Sequence, residues 1–370
     1  MMNRFSITRR QALFLFIICT ISSKLQTLPC MFAEDVGKDL WIVLIFGMIV
    51  DVVFFSFTIL INHLCPDVTI YEIVAKVCGK VVAKIICGIL IFYFIFTALM
   101  PYEAVRNVFA NNLFDTLPWQ IFSIFLIFAV GYLVFSGLKT LGRSSELYFV
   151  IIVASVGILI ILGAFSADLH NILPIFDTDV ETISKTYINH SIWFGDYMIF
   201  LCLIGRIDTT RHAIKKIDIL IYVGLMIFYA FGYIVFYSLY GVTSGSQTSL
   251  ISSISAFSLL NLSIGRPDWF LVLLSQISSV LSLSTYLYCI SDSLNNIFGK
   301  KHYAVCSIVS VTILYILDFA LFSHTGVSYT GYMHISGTIA LAIQTILPVF
   351  CVFCAVFFHN KSKKLTRGQQ

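Results

Sequence analysis

The feature that most constrains this chain is a series of ten apolar segments, most of them about as long as a membrane-spanning helix. A helix needs ~20 predominantly apolar residues to cross the hydrocarbon core of a bilayer. Hydrophobic residues make up 59% of the 370 residues and charged residues only 11%, whereas soluble domains carry about 25% charged residues. The sequence therefore predicts an all-α integral membrane protein. The segments lie near residues 11–33, 40–62, 83–108, 118–136, 147–166, 190–205, 217–240, 268–291, 303–322 and 332–358.

The basic residues predict how these segments are oriented. Lys and Arg are enriched in cytoplasmic loops, and in this chain they cluster in alternate connections. The opposite set of connections carries only Lys38, Arg106, Lys185 and Arg266. Both termini are therefore predicted to be cytoplasmic, including a basic tail at residues 359–370. The formal charge of +4 follows from this orientation and gives no indication of nucleic-acid binding.

Two apolar segments are interrupted by polar or helix-breaking residues. Residues 20–29 of the first segment contain Lys24, Gln26, four hydroxyl side chains and Pro29, and the sixth segment contains Trp193-Phe194-Gly195-Asp196. An interrupted helix at membrane depth is tolerated only where it is buried in protein or lines a cavity. Two broken segments in corresponding positions of two halves are typical of a transporter-type binding site near the bilayer midplane.

The ten segments predict one membrane domain built from a five-plus-five inverted repeat with broken helices 1 and 6. The first repeat covers about residues 7–166 and the second about residues 183–358. Residues 69–80 carry a capping-box pattern and one apolar face, which predicts a short amphipathic helix on the cytoplasmic surface. Residues 249–263 form the corresponding connection of the second half, with Leu250, Ile251, Ile254 and Phe257 on an apolar stripe.

The predicted binding site lies between the two breaks. The repeat would bring Lys24 and Asp196 together, and three interpretations stay open. The two side chains form a salt bridge, or Lys24 replaces a coupling cation while Asp196 faces a substrate amine, or the pair only locks two helices together. Half-helix N-termini present free N–H groups that would hold a carboxylate. A substrate with one carboxylate and one ammonium is therefore expected, contacted by residues of the two breaks: Ser22, Ser23, Lys24, Gln26, Thr27, Gly195 and Asp196.

Three further acidic residues fall within apolar segments. Asp51 lies midway along the second segment, Glu103 near the outer end of the third and Asp318 deep in the ninth. Charges at such depth are costly and usually face the protein interior, where they find a partner. For Asp51 and Asp318 we expect structural hydrogen bonds between helices, because helices 2 and 9 are peripheral in such folds. Glu103 fits either an outer vestibule or the headgroup region.

The eighth segment carries a stripe of hydroxyl residues at helical spacing. Small residues at this spacing most often permit close helix packing. The same stripe, facing helix 1, could also supply oxygen atoms to an ion or a substrate, and Ser278 and Ser282 are the candidates for that role. The stripe consists of Ser275, Ser278, Ser279, Ser282 and Thr285.

The sequence does not indicate an enzyme. The 8 histidines show no metal-binding spacing, and no Gly-rich phosphate-binding loop or nucleotide-binding domain is recognisable. No cofactor is expected. Any energy source would be an ion gradient.

The chain also resembles the endospore germination permeases, the B subunits of germinant receptors, within the amino acid/polyamine/organocation superfamily. The resemblance spans nearly the whole chain and depends on the order and spacing of its motifs. These are Ile7-Thr8-x-x-Gln11, Pro29, Trp41, Thr69-Ile70-x-Glu72-Ile73, Gly79-Lys80, Pro118, Gly137-Leu138-x-x-Leu141-Gly142-Arg143-x-x-Glu146, Leu173-Pro174 and Gly195-Asp196.

The resemblance implies ten helices and a germinant pocket around helices 1 and 6. It also implies assembly in the inner spore membrane with a larger A subunit and a lipoprotein C subunit. Family members usually carry Gly-Glu where this chain has Gly195-Asp196. Lys24 stands where they carry a smaller residue, which indicates a subgroup with a different ligand or without ion coupling.

Two alternative functions are therefore considered. In the first, the chain is a sensor that binds an amino acid or a similar germinant and signals to partner subunits. In the second, it is a working amino acid transporter. The resemblance favours the sensor, whereas the predicted pocket suits both functions, because signalling and alternating access need the same bistable broken helices. A purely structural scaffold would leave two polar helix breaks as an uncompensated cost.

Overall fold

A computed structural model of the chain describes residues 7–112, 119–208, 216–256, 268–299, 302–320 and 329–367. Within these ranges the fold is almost entirely helical. The α-helices are α1 (Arg9–Leu25), α2 (Leu28–Val36), α3 (Leu40–Leu64), α4 (Ile70–Val77), α5 (Lys80–Asn112), α6 (Trp119–Ser136), α7 (Leu138–Ala164), α8 (Val180–Asn189), α9 (Tyr197–Leu203), α10 (Lys216–Tyr240), α11 (Leu250–Ala256), α12 (Asp268–Phe298), α13 (Tyr303–Asp318) and α14 (Tyr329–Arg367). Short 3-10 helices occupy Gly37–Asp39, Leu169–Ile172, Ser191–Trp193 and Gly241–Ser246.

Six helical runs of the described residues are long and apolar enough to cross a membrane. They confirm the prediction of an integral membrane protein, whereas the count of ten spans stays a prediction. Two shorter apolar helices, Ser123–Ser136 and Tyr303–Leu317, accompany them. The six runs are Arg9–Leu64, Lys80–Arg106, Leu138–Ala164, Asp218–Ser246, Trp269–Phe298 and Ser336–Asn360.

Both predicted interruptions are present. Gln26 and Thr27 separate α1 from α2, and residues 190–196 separate α8 from α9. The helix that precedes the second break begins at Val180, ten residues before the predicted start of the sixth segment near residue 190. The difference arises because α8 carries Glu181, Lys185 and other polar residues, so hydropathy does not single it out.

The centre of the structure is α12, which packs against α1, α5, α7 and α13. It is the most deeply buried of the six apolar runs, and its hydroxyl side chains between Ser275 and Thr285 are fully buried. Large apolar side chains such as Phe125, Phe128 and Ile346 are exposed on the outer faces of α6 and α14. In a membrane these faces would meet lipid.

The start of α1 is fixed to α7 by residues of two motifs. Thr8 and Gln11 form a capping box, in which each side chain bonds to the other residue's backbone N–H. The amide of Gln11 also donates to Glu146 Oε2 at 3.1 Å. A Cβ on Gly142 would lie 2.9 Å from Ile7 Cγ2, so only glycine permits this close approach.

A two-residue parallel strand pair connects the segment before α1 to the segment after α9. Strand β1 (Ile7–Thr8) precedes α1, and strand β2 (Ile207–Asp208) follows α9. The backbone N–H of Ile7 donates to the carbonyl of Arg206 at 3.1 Å. The ends of the two broken helices are therefore tied together on this side of the molecule.

At the opposite ends of the two broken helices, Asp39 connects the turn that follows α2 to the loop that precedes α8. Its carboxylate, fully buried, accepts hydrogen bonds from the backbone N–H groups of Phe176 at 3.1 Å and Thr178 at 2.9 Å. The turn at Gly37–Asp39 is thus fastened to the loop between α7 and α8. Beside it, Lys38 forms an ion pair of 2.8 Å with Asp177.

The two connections each contain a short helix, α4 and α11; α11 is buried from Leu250 to Ser255 and is therefore not a surface helix. The α4 helix begins with the expected capping box between Thr69 and Glu72, and both helices bury their apolar residues. Pro118, expected to open the fourth segment, and Phe257, expected on the stripe of α11, lie outside the described residues. The side chains of residues 361–370 of the basic C-terminal tail lie outside them as well.

Candidate functional site

The first break frees backbone groups that other helices satisfy. Gln26 has φ −88° and ψ −97°, which ends α1, and α2 begins two residues later with a proline in its first turn. The carbonyl of Lys24 accepts a hydrogen bond from the Tyr233 hydroxyl at 2.7 Å. The carbonyl of Gln26 accepts one from the Leu250 N–H at 2.9 Å. Backbone carbonyls at the break are therefore hydrogen-bonded inside the protein, as the membrane interior requires.

The buried side-chain amide of Gln344 stabilises the second break. Gln344 of α14 donates through Nε2 to the carbonyl of Phe194 at 2.8 Å and to that of Ser191 at 3.0 Å. Gly195 adopts φ +79°, and a Cβ at this position would lie 2.5 Å from Gln344 Nε2. The hydroxyl of Tyr93 on α5 also donates to the Phe194 carbonyl, at 3.3 Å. Glycine is thus required both by its positive φ and by the close approach of Gln344.

The two breaks meet through Lys24 and Asp196. The distance from Lys24 Nζ to Asp196 Oδ2 is 2.9 Å, and the two side chains are only 0% and 3% exposed. The ammonium also donates to the carbonyl of Trp193 and lies 4.3 Å from the centre of the Phe194 ring. The two side chains therefore form the salt bridge that was one of the three interpretations of the sequence.

The carboxylate of Asp196 has two further donors. The hydroxyl of Ser23 lies 3.2 Å from Oδ2 and 3.3 Å from Oδ1, and that of Tyr286 on α12 lies 3.4 Å from Oδ1. Asp196 therefore joins α1, α9 and α12 at one point. Because all these groups are buried, water does not screen their interactions.

Asp51 belongs to the same cluster, which corrects the expectation that helix 2 is peripheral. Its Oδ1 accepts the backbone N–H of Gly195 at 3.0 Å, and its Oδ2 accepts the Tyr222 hydroxyl of α10 at 2.9 Å. The side chain is thus bonded to another helix, as predicted, but also to the second break itself. The expectation failed because α3 packs against both α9 and α10.

A small cavity of about 10 Å³ lies beside the Lys24–Asp196 pair. This volume is close to the smallest that holds one water molecule, so the site is closed in this structure. Trp193 lines it and is 2% exposed, and its Nε1 has no hydrogen-bond partner among the described residues. The cavity is lined by Ser22, Ser23, Thr97, Met100, Pro101, Ile192, Trp193 and Tyr286.

Comparison with known proteins identifies the family. Residues 6–327 match the spore permease family, described as spore germination protein. The chain belongs to the spore permease family. A curated relative, spore germination protein A2 of Bacillus subtilis (strain 168), is 22% identical over 304 residues, which are 80% of this chain and 81% of the relative.

A solved transporter shares the fold of this spore permease. Mhp1, a nucleobase-cation-symport-1 family transporter in a closed conformation with bromovinylhydantoin bound, superposes with a TM-score of 0.53 at 10% identity. The match covers 100% of this chain and 96% of that transporter. At this identity the likeness shows the fold alone. Family and fold are those of a permease-like membrane protein and not of an enzyme.

The residues predicted for the spore permease site fall into two groups. Ser22, Ser23, Lys24, Gly195 and Asp196 lie together at the meeting point of the breaks, as the contacts above show. Ser22 lines the cavity, and its hydroxyl donates to Ser279 of α12 at 3.1 Å.

Gln26 and Thr27 lie apart from that meeting point. The Gln26 Oε1 accepts hydrogen bonds from Ser249 at 3.2 Å and Gln276 at 3.3 Å, so its amide joins α1 to α11 and α12. Thr27 is the N-cap residue of α2, and its side chain makes no capping hydrogen bond. Neither residue lines the cavity.

The hydroxyl stripe of α12 does face α1, but it mainly packs. Ser278 donates to the carbonyl of Ser275 at 2.6 Å, and Ser282 donates to that of Ser278 at 2.8 Å. The Ser282 hydroxyl also reaches the carbonyl of Ile18 on α1, at 3.5 Å. Hydroxyls that bond back to their own helix let α1 and α12 approach closely.

The remaining predicted acids lie outside the cluster or cannot be placed. Glu103 forms an ion pair of 3.0 Å with Arg106 on the same helix. Asp318 is the last residue of α13, and its side chain lies outside the described residues.

Sequence reasoning missed five residues of the site: Tyr93, Thr97, Trp193, Tyr286 and Gln344. Trp193 stood inside the second predicted break but was not proposed as a contact. The others are single polar or aromatic residues within long apolar helices. Tyr286 directly follows Thr285, the last residue of the hydroxyl stripe, and this was the one signal that could have pointed to Tyr286.

Proposed function

We propose that this chain is the permease-like subunit of a spore germinant receptor. It binds a small germinant, an amino acid or a similar polar molecule, between the two helix breaks. Binding shifts the breaks to a second conformation, and partner subunits sense the shift. The observation that carries the proposal is the meeting of two buried breaks through Lys24 and Asp196 in a chain of the spore permease family.

The closed cavity supports a receptor that changes shape. A space of about 10 Å³ does not hold a small germinant, so the breaks must separate before one binds. The two ends of the broken helices are fastened by separable polar contacts, β1–β2 on one side and Asp39 on the other. A ligand that prefers the open arrangement therefore shifts the population toward it.

The proposed architecture has ten spans in two inverted sets of five within one membrane domain. The first set comprises α1 with α2, then α3, α5, α6 and α7; the second comprises α8 with α9, then α10, α12, α13 and α14. The broken element opens each set, and α4 and α11 occupy matching connections, which supports this assignment. Both termini are cytoplasmic in this proposal, and the repeats cover about residues 7–166 and 183–358.

The proposed partners are a larger A subunit and a lipoprotein C subunit in the inner spore membrane, with lipid around the bundle. The family match and the curated germination protein support this context. The relatives do not supply the ligand. Its chemistry must come from the site, where Trp193 offers a buried N–H donor.

A ligand screen on the purified protein tests the proposal. A molecule that binds the folded state raises its thermal stability by mass action. We expect at least one small polar molecule to raise the unfolding temperature saturably in the wild type and not in Asp196→Ala. A ligand that stabilises both proteins equally would place the binding site elsewhere.

The second candidate function is amino acid transport, which the fold shared with Mhp1 favours. Proteoliposomes that contain this chain alone separate the two functions. The receptor proposal expects binding without saturable uptake of the ligand. Saturable uptake at rates typical of a carrier would support the transporter.

A further inference from the structure

The groups around the Lys24 ammonium are those that hold a cation. A carboxylate oxygen of Asp196 lies at 2.9 Å, the carbonyl oxygen of Trp193 accepts a second hydrogen bond, and the face of the Phe194 ring lies 4.3 Å from Nζ. Carbonyl and carboxylate oxygens and aromatic faces all attract positive charge. All three groups belong to the second break, whereas the cation comes from the first.

The position of this ammonium is fixed by the protein on all sides. Lys24 is 0% exposed, and its own carbonyl is held by Tyr233. Its carboxylate partner is oriented by Ser23 and Tyr286. A positive charge in the membrane interior is retained only where such partners compensate for its lost hydration.

We propose that Lys24 is a tethered cation, whose ammonium permanently occupies a monovalent-cation site between the two breaks. A chain with a neutral residue at this position would need a dissolved sodium ion or a small ammonium to compensate for Asp196. This inference deepens the proposed function, because it makes the germinant response independent of a cation gradient. The dissolved ligand that fits the vacated site is a primary alkylammonium.

Chemical rescue of Lys24→Ala tests the inference. The substitution removes the atoms of n-propylammonium, so this ion fits the space and the charge that are lost. Purified Lys24→Ala in nanodiscs is titrated with n-propylammonium chloride against choline chloride at constant ionic strength, and the unfolding temperature is recorded. We expect a saturable rise of several degrees in Lys24→Ala and no saturable rise in the wild type, whether with n-propylammonium or with sodium.

Two control variants separate this effect from general stabilisation by the amine. The double variant Lys24→Ala with Asp196→Ala lacks the carboxylate, so n-propylammonium should no longer raise its unfolding temperature. Lys84→Ala removes an exposed lysine of α5 and should behave like the wild type. Stabilisation of either control to the same extent as Lys24→Ala would overturn the proposal.

Two other outcomes also overturn it. One is a Lys24→Ala protein that n-propylammonium leaves unchanged. The other is a wild type that sodium or n-propylammonium stabilises saturably, and this measurement decides the matter even if Lys24→Ala does not fold. No germinant is present in these experiments, so a failed ligand screen would count against the proposed function and leave this inference standing.

Discussion

Removing one charge of the Lys24–Asp196 pair should destabilise the protein more than removing both. The two side chains are 0% and 3% exposed and lie 2.9 Å apart. Lys24→Met leaves the Asp196 carboxylate with the hydroxyl donors of Ser23 and Tyr286, and Asp196→Asn removes the carboxylate that pairs with the ammonium. Breaking a buried pair in this way typically costs about 3–5 kcal/mol, because the remaining charge is uncompensated.

The double variant Lys24→Met with Asp196→Asn contains neither charge. Because no uncompensated charge remains in it, we expect its free energy of unfolding to fall by less than in either single variant, which gives a coupling free energy of at least about 3 kcal/mol. The assay is reversible unfolding in mixed detergent micelles, followed by tryptophan fluorescence. Single losses that add to within about 0.5 kcal/mol would refute direct coupling of the two residues.

The other predictions concern the second break and the loop fastened by Asp39. Gly195→Ala should lower the free energy of unfolding by about 1–3 kcal/mol, because φ is +79° and the added Cβ meets Gln344 at 2.5 Å. Gly224→Ala on α10 meets nothing within 4 Å and should be neutral or stabilising; a larger loss there than at Gly195 would contradict this. Asp39→Asn should speed hydrogen exchange at the backbone N–H of Phe176, which donates a hydrogen bond of 3.1 Å to the Asp39 carboxylate. Unchanged exchange would show that another contact holds the loop.

The sequence predicted the two breaks because their cause is local. Polar residues and a proline interrupt apolar segments, and such interruptions are costly in lipid unless the protein satisfies them. The capping box at Thr69 is local in the same sense. The proximity of Lys24 and Asp196 needed one further step, the assumption of two related halves, and the distance of 2.9 Å agrees with it.

The rest of the site depends on packing between distant helices. Asp51, Tyr93 and Gln344 each lie in a helix that is apolar on most of its surface, so no hydrophobic face shows which way they point. Their partners are more than a hundred residues away in the chain. The zwitterion site between the two breaks stays a prediction, and the Lys24 ammonium lies beside Asp196 in the closed structure.

Direct binding of a germinant between the two breaks is the most decisive measurement. Trp193→Phe keeps an aromatic side chain at the cavity wall but removes the buried indole N–H, which has no partner among the described residues. Equilibrium binding of a labelled germinant in nanodiscs should weaken about fivefold, which corresponds to the loss of a hydrogen bond worth ~1 kcal/mol. Trp41→Phe, which also removes a buried N–H without a described partner but lies at the start of α3, should bind with wild-type affinity. Equal affinity of wild type and Trp193→Phe, or a loss confined to Trp41→Phe, would contradict a germinant site between the two breaks.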